Sequence, residues 1–120
     1  MNGEEMDGRL ELLRELGSDV EEAMERFLDD EGFYLECLEQ LLHDDNFGRL
    51  KIALENHQIQ EAFDCAHTLK GLAANLGLTS LDEGLGELVE PLREGRDAGL
   101  MEKYQEIMGV HEKYVEVIAK

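Results

Sequence analysis

Residues 59–76 read Ile-Gln-Glu-Ala-Phe-Asp-Cys-Ala-His-Thr-Leu-Lys-Gly-Leu-Ala-Ala-Asn-Leu, and Gly77 follows. At roughly 100° per residue, Ala62, Ala66, Leu69, Ala73 and Leu76 share one arc, with Cys65 and Leu72 at one edge and Ile59 at the other. That pattern predicts a helix with a single buried face, and Gly77 suits a left-handed cap at its end. His67 falls roughly 150° from the centre of the arc and so points to solvent, with Gln60, Asp64, Gly71 and Ala74 on the same outward strip.

The same spacing continues in both directions. Twenty Leu outweigh Val, Ile and Thr, and no segment alternates apolar and polar residues over a strand's length, so the chain reads as all-α. A first helix is predicted around Met6 to Leu16, closed by Gly17. Ser18 and Glu21 form a capping box that opens a second, with Val20, Ala23, Met24 and Phe27 inward, as far as the acidic turn at 29–32. Phe33 to about Glu55 is helical, with Leu35, Leu38, Leu42, Leu50 and Leu54 inward, either as one helix or as two broken between Asp44 and Gly48. A turn at Asn56 and His57 leads into the segment quoted above.

Beyond Gly77, Thr79 or Ser80 caps a helix whose stripe is Leu81, Leu85, Leu88 and Leu92 and which Gly95 ends. Pro91 inside it predicts a kink or an early stop, since an interior proline removes a backbone bond at about 3 kcal/mol. Asp97 caps the last helix, with Met101, Tyr104, Met108, His111, Val115 and Ile118 inward. Short turns between helices of this length predict an antiparallel up-down-up-down four-helix bundle, with the two short N-terminal helices packed across one end. Residues 1–120 suit one domain, with 1–5 as a candidate disordered tail.

The charge balance removes whole classes of function. Eleven basic residues against 29 acidic ones leave a net charge of −18, a field that opposes binding to nucleic acid. No apolar run approaches the roughly 18 to 20 residues of a membrane span, and the acidic stretch Met1 to Asp7 does not resemble an export signal, so a cytoplasmic location is expected. Cys37 and Cys65 are far apart with no CxxC, which favours two reduced thiols over a zinc site; one bridge between them is the alternative. No GxxxxGK[ST] loop is present, so no ATP site is expected.

The outward strip around His67 is unusual for a solvated helix face. Gly71, one turn later, costs roughly 1 kcal/mol relative to Ala, and the small Ala74 follows it where long charged side chains would be ordinary. Lys70, three residues after His67, can reach an anion on the imidazole. A nucleophilic ring, cleared of bulk on one side and given a cation on the other, suits a group phosphorylated by a second protein docking over it.

Ala66-His67-Thr68-Leu69-Lys70-Gly71-Leu72-Ala73-Ala74-Asn75-Leu76-Gly77 resembles the signature of histidine-containing phosphotransfer (HPt) domains of phosphorelays, His-x-Leu-Lys-Gly-x-Ala with a later Leu-Gly. Val20 to Phe27, Phe33-Tyr34-Leu35 and the two final helices resemble other parts of the family more weakly. The resemblance implies a helical bundle whose His67 takes a phosphoryl group from the aspartate of one response-regulator receiver domain and passes it to another, with a hybrid histidine kinase as a further candidate partner. It implies Lys70 as the phosphate's counter-charge and Gly71 as steric clearance. It further implies Phe63, Asp64, Ala74 and Leu78 as docking residues and Mg²⁺ on the receiver, and a monomer without a cofactor of its own is expected. Asp64 and Pro91 depart from the family pattern, Asp64 because it adds a like charge near the phosphoryl position.

Each feature has an ordinary reading when taken singly. An outward histidine is usually just polar surface, Lys70 could pair with a nearby carboxylate, and a helix glycine can serve close packing; only the combination is unusual. His43, His57 and His111 read as structural. Asp64-x-x-His67 superficially resembles a di-iron element, but the second pair and the inward carboxylates are missing. The alternative from another class is a helical module that binds a receiver or kinase as a regulator without accepting phosphate.

Overall fold

The computed structural model describes residues 8–119, and among them the chain forms seven helices and no strand. They are α1 (Gly8–Glu15), α2 (Val20–Arg26), α3 (Glu31–Leu42), α4 (Asn46–Glu55), α5 (Ile59–Asn75), α6 (Thr79–Arg93) and α7 (Leu100–Ile118). The candidate tail 1–5 and the expected helix start at Met6 lie outside the described residues. The stretch 33–55 proves to be two helices, since the chain breaks after His43, where the Asp44 carboxylate accepts from the Asn46 amide at 2.7 Å.

The helix ends differ from the sequence reading in ways that share a cause: the expected capping groups are engaged elsewhere. Asp19, not Ser18, caps α2 by accepting from the Glu22 amide. Ser18 is buried with its hydroxyl 3.3 Å from the Tyr114 hydroxyl, and Glu21 pairs with Arg14. Neither Thr79 nor Ser80 caps α6; Leu78 holds that position, and the Ser80 hydroxyl donates to the Leu16 carbonyl at 3.3 Å. Gly99 (φ 75°) precedes α7 in place of Asp97, whose carboxylate lies 2.9 Å from His57 Nδ1. Pro91 does not stop α6, which continues to Arg93. It stands in the last turn, where only the bond to the Glu87 carbonyl is lost and few bonds remain to disrupt.

The last helix is also rotated from its expected face. Its buried side chains are Leu100, Tyr104, Ile107, Tyr114 and Val117, while Met101, Met108, His111, Val115 and Ile118 stand at the rim. The buried stripe lies beside the one expected from the methionines and His111, and only Tyr104 is common to both.

Cross-helix pairs give the direction of packing. Phe63 and Lys70 of α5 meet Arg93 and Asp82 of α6 in reversed order. Gly84 and Glu87 of α6 meet Ile107 and Lys103 of α7, again reversed. Phe47, near the start of α4, meets Tyr104 and His111 of α7, while His57, just past its end, meets Asp97. With the three-residue turn between α4 and α5, these pairs make α4 to α7 an antiparallel four-helix bundle. The α3 helix continues the side that α4 begins, with its Leu42 carbonyl 2.7 Å from His111 Nε2, and α1 packs on the far part of α7.

Three buried tyrosines tie the layers together through their hydroxyls. Tyr34 donates to the Leu76 carbonyl at 2.7 Å and Tyr104 to the Phe47 carbonyl at 2.9 Å, while Tyr114 faces Ser18. Burial raises the proton affinity of all three phenols. The turn after α5 is equally constrained, because Gly77 (φ 72°) accepts from the Asp19 amide at 2.8 Å and a Cβ there would overlap the Asp19 carbonyl oxygen.

Two tests follow from this packing. Gly77→Ala should lose at least about 2 kcal/mol by urea denaturation, combining left-handed strain with a backbone clash. Gly95→Ala has similar φ but nothing within 4 Å of the new Cβ, and should lose only about 1 kcal/mol. Equal losses would mean that contact with Asp19 does not restrict the turn. Alkali should also destabilise the fold: the tyrosines keep their protons when folded but lose them when unfolded, so stability falls as pH rises above about 10. A flat stability profile there would contradict the burial of the phenols.

Candidate functional site

Helix α5 supplies the site, and its far end is firmly held. Arg26 donates to the carbonyls of Ala74 and Asn75, and Tyr34 to that of Leu76, which occupies carbonyls that a helix end leaves without partners. Ala62, Cys65, Ala66, Leu69 and Ala73 are buried, so the face opposite them is set by helical geometry. Gln60, Asp64, His67, Gly71 and Ala74 are all exposed on that face. Leu72, at the edge of the expected core arc, is 40% exposed.

The imidazole of His67 is oriented by an aromatic contact. Phe63, one turn earlier and half-buried, stacks on it with ring centroids 5.4 Å apart and planes 9° from parallel. Arg93 of α6 places its guanidinium carbon 5.3 Å from the centre of the Phe63 ring. Such contacts restrict ring rotation without occupying a nitrogen. No described residue hydrogen-bonds either ring nitrogen of His67, so both are available to a reacting group.

Lys70 crosses to α6, where its Nζ lies 3.0 Å from Asp82 Oδ1. The ordinary reading of this lysine as one that pairs with a carboxylate is therefore correct as far as it goes, and the pair stands one turn from the exposed imidazole. A side-chain carbon added at Gly71 would meet nothing within 4 Å, so packing does not require a glycine there. Gly48 and Gly109 are equally open; what separates Gly71 is its place one turn after His67. In contrast, Gly84 and Gly86 of α6 admit close neighbours, Ile107 and the stem of Lys70 respectively.

Of the expected docking residues, Phe63, Asp64 and Ala74 border the imidazole strip, and the Asp64 carboxylate accepts from Gln60 at 2.9 Å. Leu78 does not belong with them: it is fully buried at the start of α6, because the turn after α5 folds inward against α2. Asp82, Gly86 and Arg93 were missed, since helical spacing relates residues within α5 and says nothing about the register of α6 against it. The paired glycines at 84 and 86, inside a predicted helix, were the available signal.

The remaining polar candidates have structural partners. His43 Nδ1 lies 2.9 Å from the Glu39 carbonyl, His57 pairs with Asp97, and His111 packs on Phe47 while meeting the Leu42 carbonyl. Both cysteines are free, and burial raises the proton affinity of each thiolate. Among the described residues, no group of three or more His, Cys, Asp and Glu side chains is placed to hold a metal ion, and no helix is long and apolar enough to cross a membrane.

The helical bundle presents on an exposed face of α5 an imidazole without a hydrogen bond, one turn from a lysine. The family model for the Hpt domain matches residues 4–114, and the chain belongs to the Hpt domain family, whose members carry phosphoryl groups on histidine in phosphorelays and interact with response-regulator receiver domains. Comparison with curated proteins and with solved structures gave no match.

The openness at Gly71 is testable without any partner. Gly71→Ala should raise stability by about 0.5–1 kcal/mol, the ordinary gain for replacing an unrequired helix glycine, read as a higher urea midpoint. A lower midpoint would mean that Gly71 serves packing inside this chain.

Proposed function

We propose that His67 is the phosphorylated residue of a single-domain, monomeric, cytoplasmic phosphorelay carrier. One observation carries the reading: the imidazole is outward, stacked on Phe63 and free of hydrogen bonds, with a lysine and an unrequired glycine one turn away. The phosphoryl group arrives from the aspartyl phosphate of a receiver domain. Its P–O bond to that carboxylate breaks, a P–N bond to the imidazole forms, and the ring gives up its proton; the second transfer reverses these changes on another receiver's aspartate.

Positioning and charge neutralisation dominate such transfers. His67 supplies the nucleophile, Lys70 offsets charge on the phosphoryl oxygens, and Gly71 admits the incoming loop. Phe63, Asp64 and Ala74 border the docking strip, which ends where the chain turns inward at Leu78. The receiver brings Mg²⁺ and most of the catalytic groups, and a hybrid kinase stands upstream of it. The chain itself takes no cofactor and does not phosphorylate itself.

Incubation with a panel of phosphorylated receivers should put an acid-labile, base-stable phosphate on the wild type and none on His67→Gln. Phosphate retained by His67→Gln would remove the reading. Lys70→Ala should slow transfer by about tenfold or more at unchanged helicity, and equal rates would show that the lysine plays no part.

A further inference from the structure

Lys70 is not a free cation, and the group that holds it stands outside the transfer chemistry. Asp82 Oδ1 lies 3.0 Å from the ammonium, is shielded from solvent and receives no aligned hydrogen bond. Its charge is offset by the lysine through proximity alone. One turn further along α6, a side-chain carbon on Gly86 would come 3.2 Å from Lys70 Cε and 4.0 Å from Cδ. The lysine stem thus lies across α6 in space that a glycine leaves open, with its charged end drawn to Asp82.

Once His67 carries a phosphoryl group, two anions compete for one ammonium. One is the phosphoryl group a helical turn away on α5, and the other is Asp82 on α6. We propose that Asp82 is a positioning residue that competes with the phosphohistidine for Lys70, so that the phosphoryl group is held less tightly than a free lysine would hold it and passes on readily. This rests on His67 as the carrier and adds to it the means by which the strength of holding is set. The Lys70 and Asp82 side chains are 38% and 28% exposed, so solvent screens the pair and the competition is modest in size. Replacing Asp82 by Asn keeps the shape and acts twice in one direction, by releasing the lysine and by removing a like charge.

Phosphoramidate loads histidine without a partner protein: its P–N bond breaks, ammonia leaves with the ring proton, and a new P–N bond forms on the imidazole. The readout is the ³¹P shift of phospho-His67 titrated with pH in wild type, Asp82→Asn, Lys70→Ala and the double variant. Asp64, Glu90 and Arg93 around the strip, and Arg26 with Glu22 at its Ala74 end, are common to all four. Asp82→Asn should weaken proton binding by the phosphohistidine, read near neutral pH where the adduct is stable, about three- to tenfold, as the released ammonium turns to the phosphoryl group. In the Lys70→Ala background the same change should shrink to less than about twofold.

No change in Asp82→Asn, or tighter proton binding, would overturn the proposal and make Asp82 a group that delivers the lysine or merely packs. A full effect that persists without Lys70 would overturn it as well, since Asp82 would then act by its own charge. Failure of the wild type to take phosphate on His67 is a separate outcome, and it would sink the carrier assignment itself. Should Asp82→Asn not fold, Asp82→Ser removes the same charge and takes its place.

Discussion

Burying Ala62, Ala66, Leu69 and Ala73 together leaves helix α5 a single orientation, and that orientation turns His67 outward. The rest of the structure holds this arrangement in place. The carbonyls at the end of α5 are occupied by Arg26 and Tyr34, and Gly77 brings the following turn against Asp19 so closely that a larger residue would not fit. Helix α6 then runs back along α5 and places Asp82, Gly86 and Arg93 beside the strip. An imidazole on a loop would sample many orientations; on a pinned helix, stacked on Phe63, it has few.

The electrostatics are local. A chain with net charge −18 is a poor general attractor of phosphate, and two cations near His67 do not change that field. One of them, Arg93, lies over Phe63 and the other, Lys70, is paired with Asp82. On the proposed reading the site offers a nucleophile in a fixed place and no excess of favourable charge, since Lys70 and Arg93 stand against Asp64, Asp82 and Glu90. For an intermediate that both accepts and surrenders the same group, tight holding would be a disadvantage, because it would stabilise the loaded state against the next transfer.

Much of this was legible in the residues, and the divisions are physical. The single arc of small apolar residues and leucines placed α5 and the outward His67, because a helix's own geometry relates positions three and four apart. The glycines at 77 and 95 marked real left-handed turns. The helix starts were less legible: Ser18, Ser80 and Asp97 are good capping residues, but each bonds to a distant group, Tyr114, Leu16 and His57 respectively. Leu78 was misplaced on the docking surface because the inward fold of the turn after α5 depends on α2. Asp82 went unrecognised for the same kind of reason, since its partner lies on another helix and only the packing register joins them.

Long-range ¹H–¹⁵N NMR of the four imidazoles, recorded before and after phosphoryl loading of the full chain, tests the central claim most directly. The account requires that the ring nitrogen resonances of His67 alone move to phosphohistidine positions, with His43, His57 and His111 unchanged. Phosphohistidine signals on any of those three, or none on His67 in a loaded sample, would contradict it.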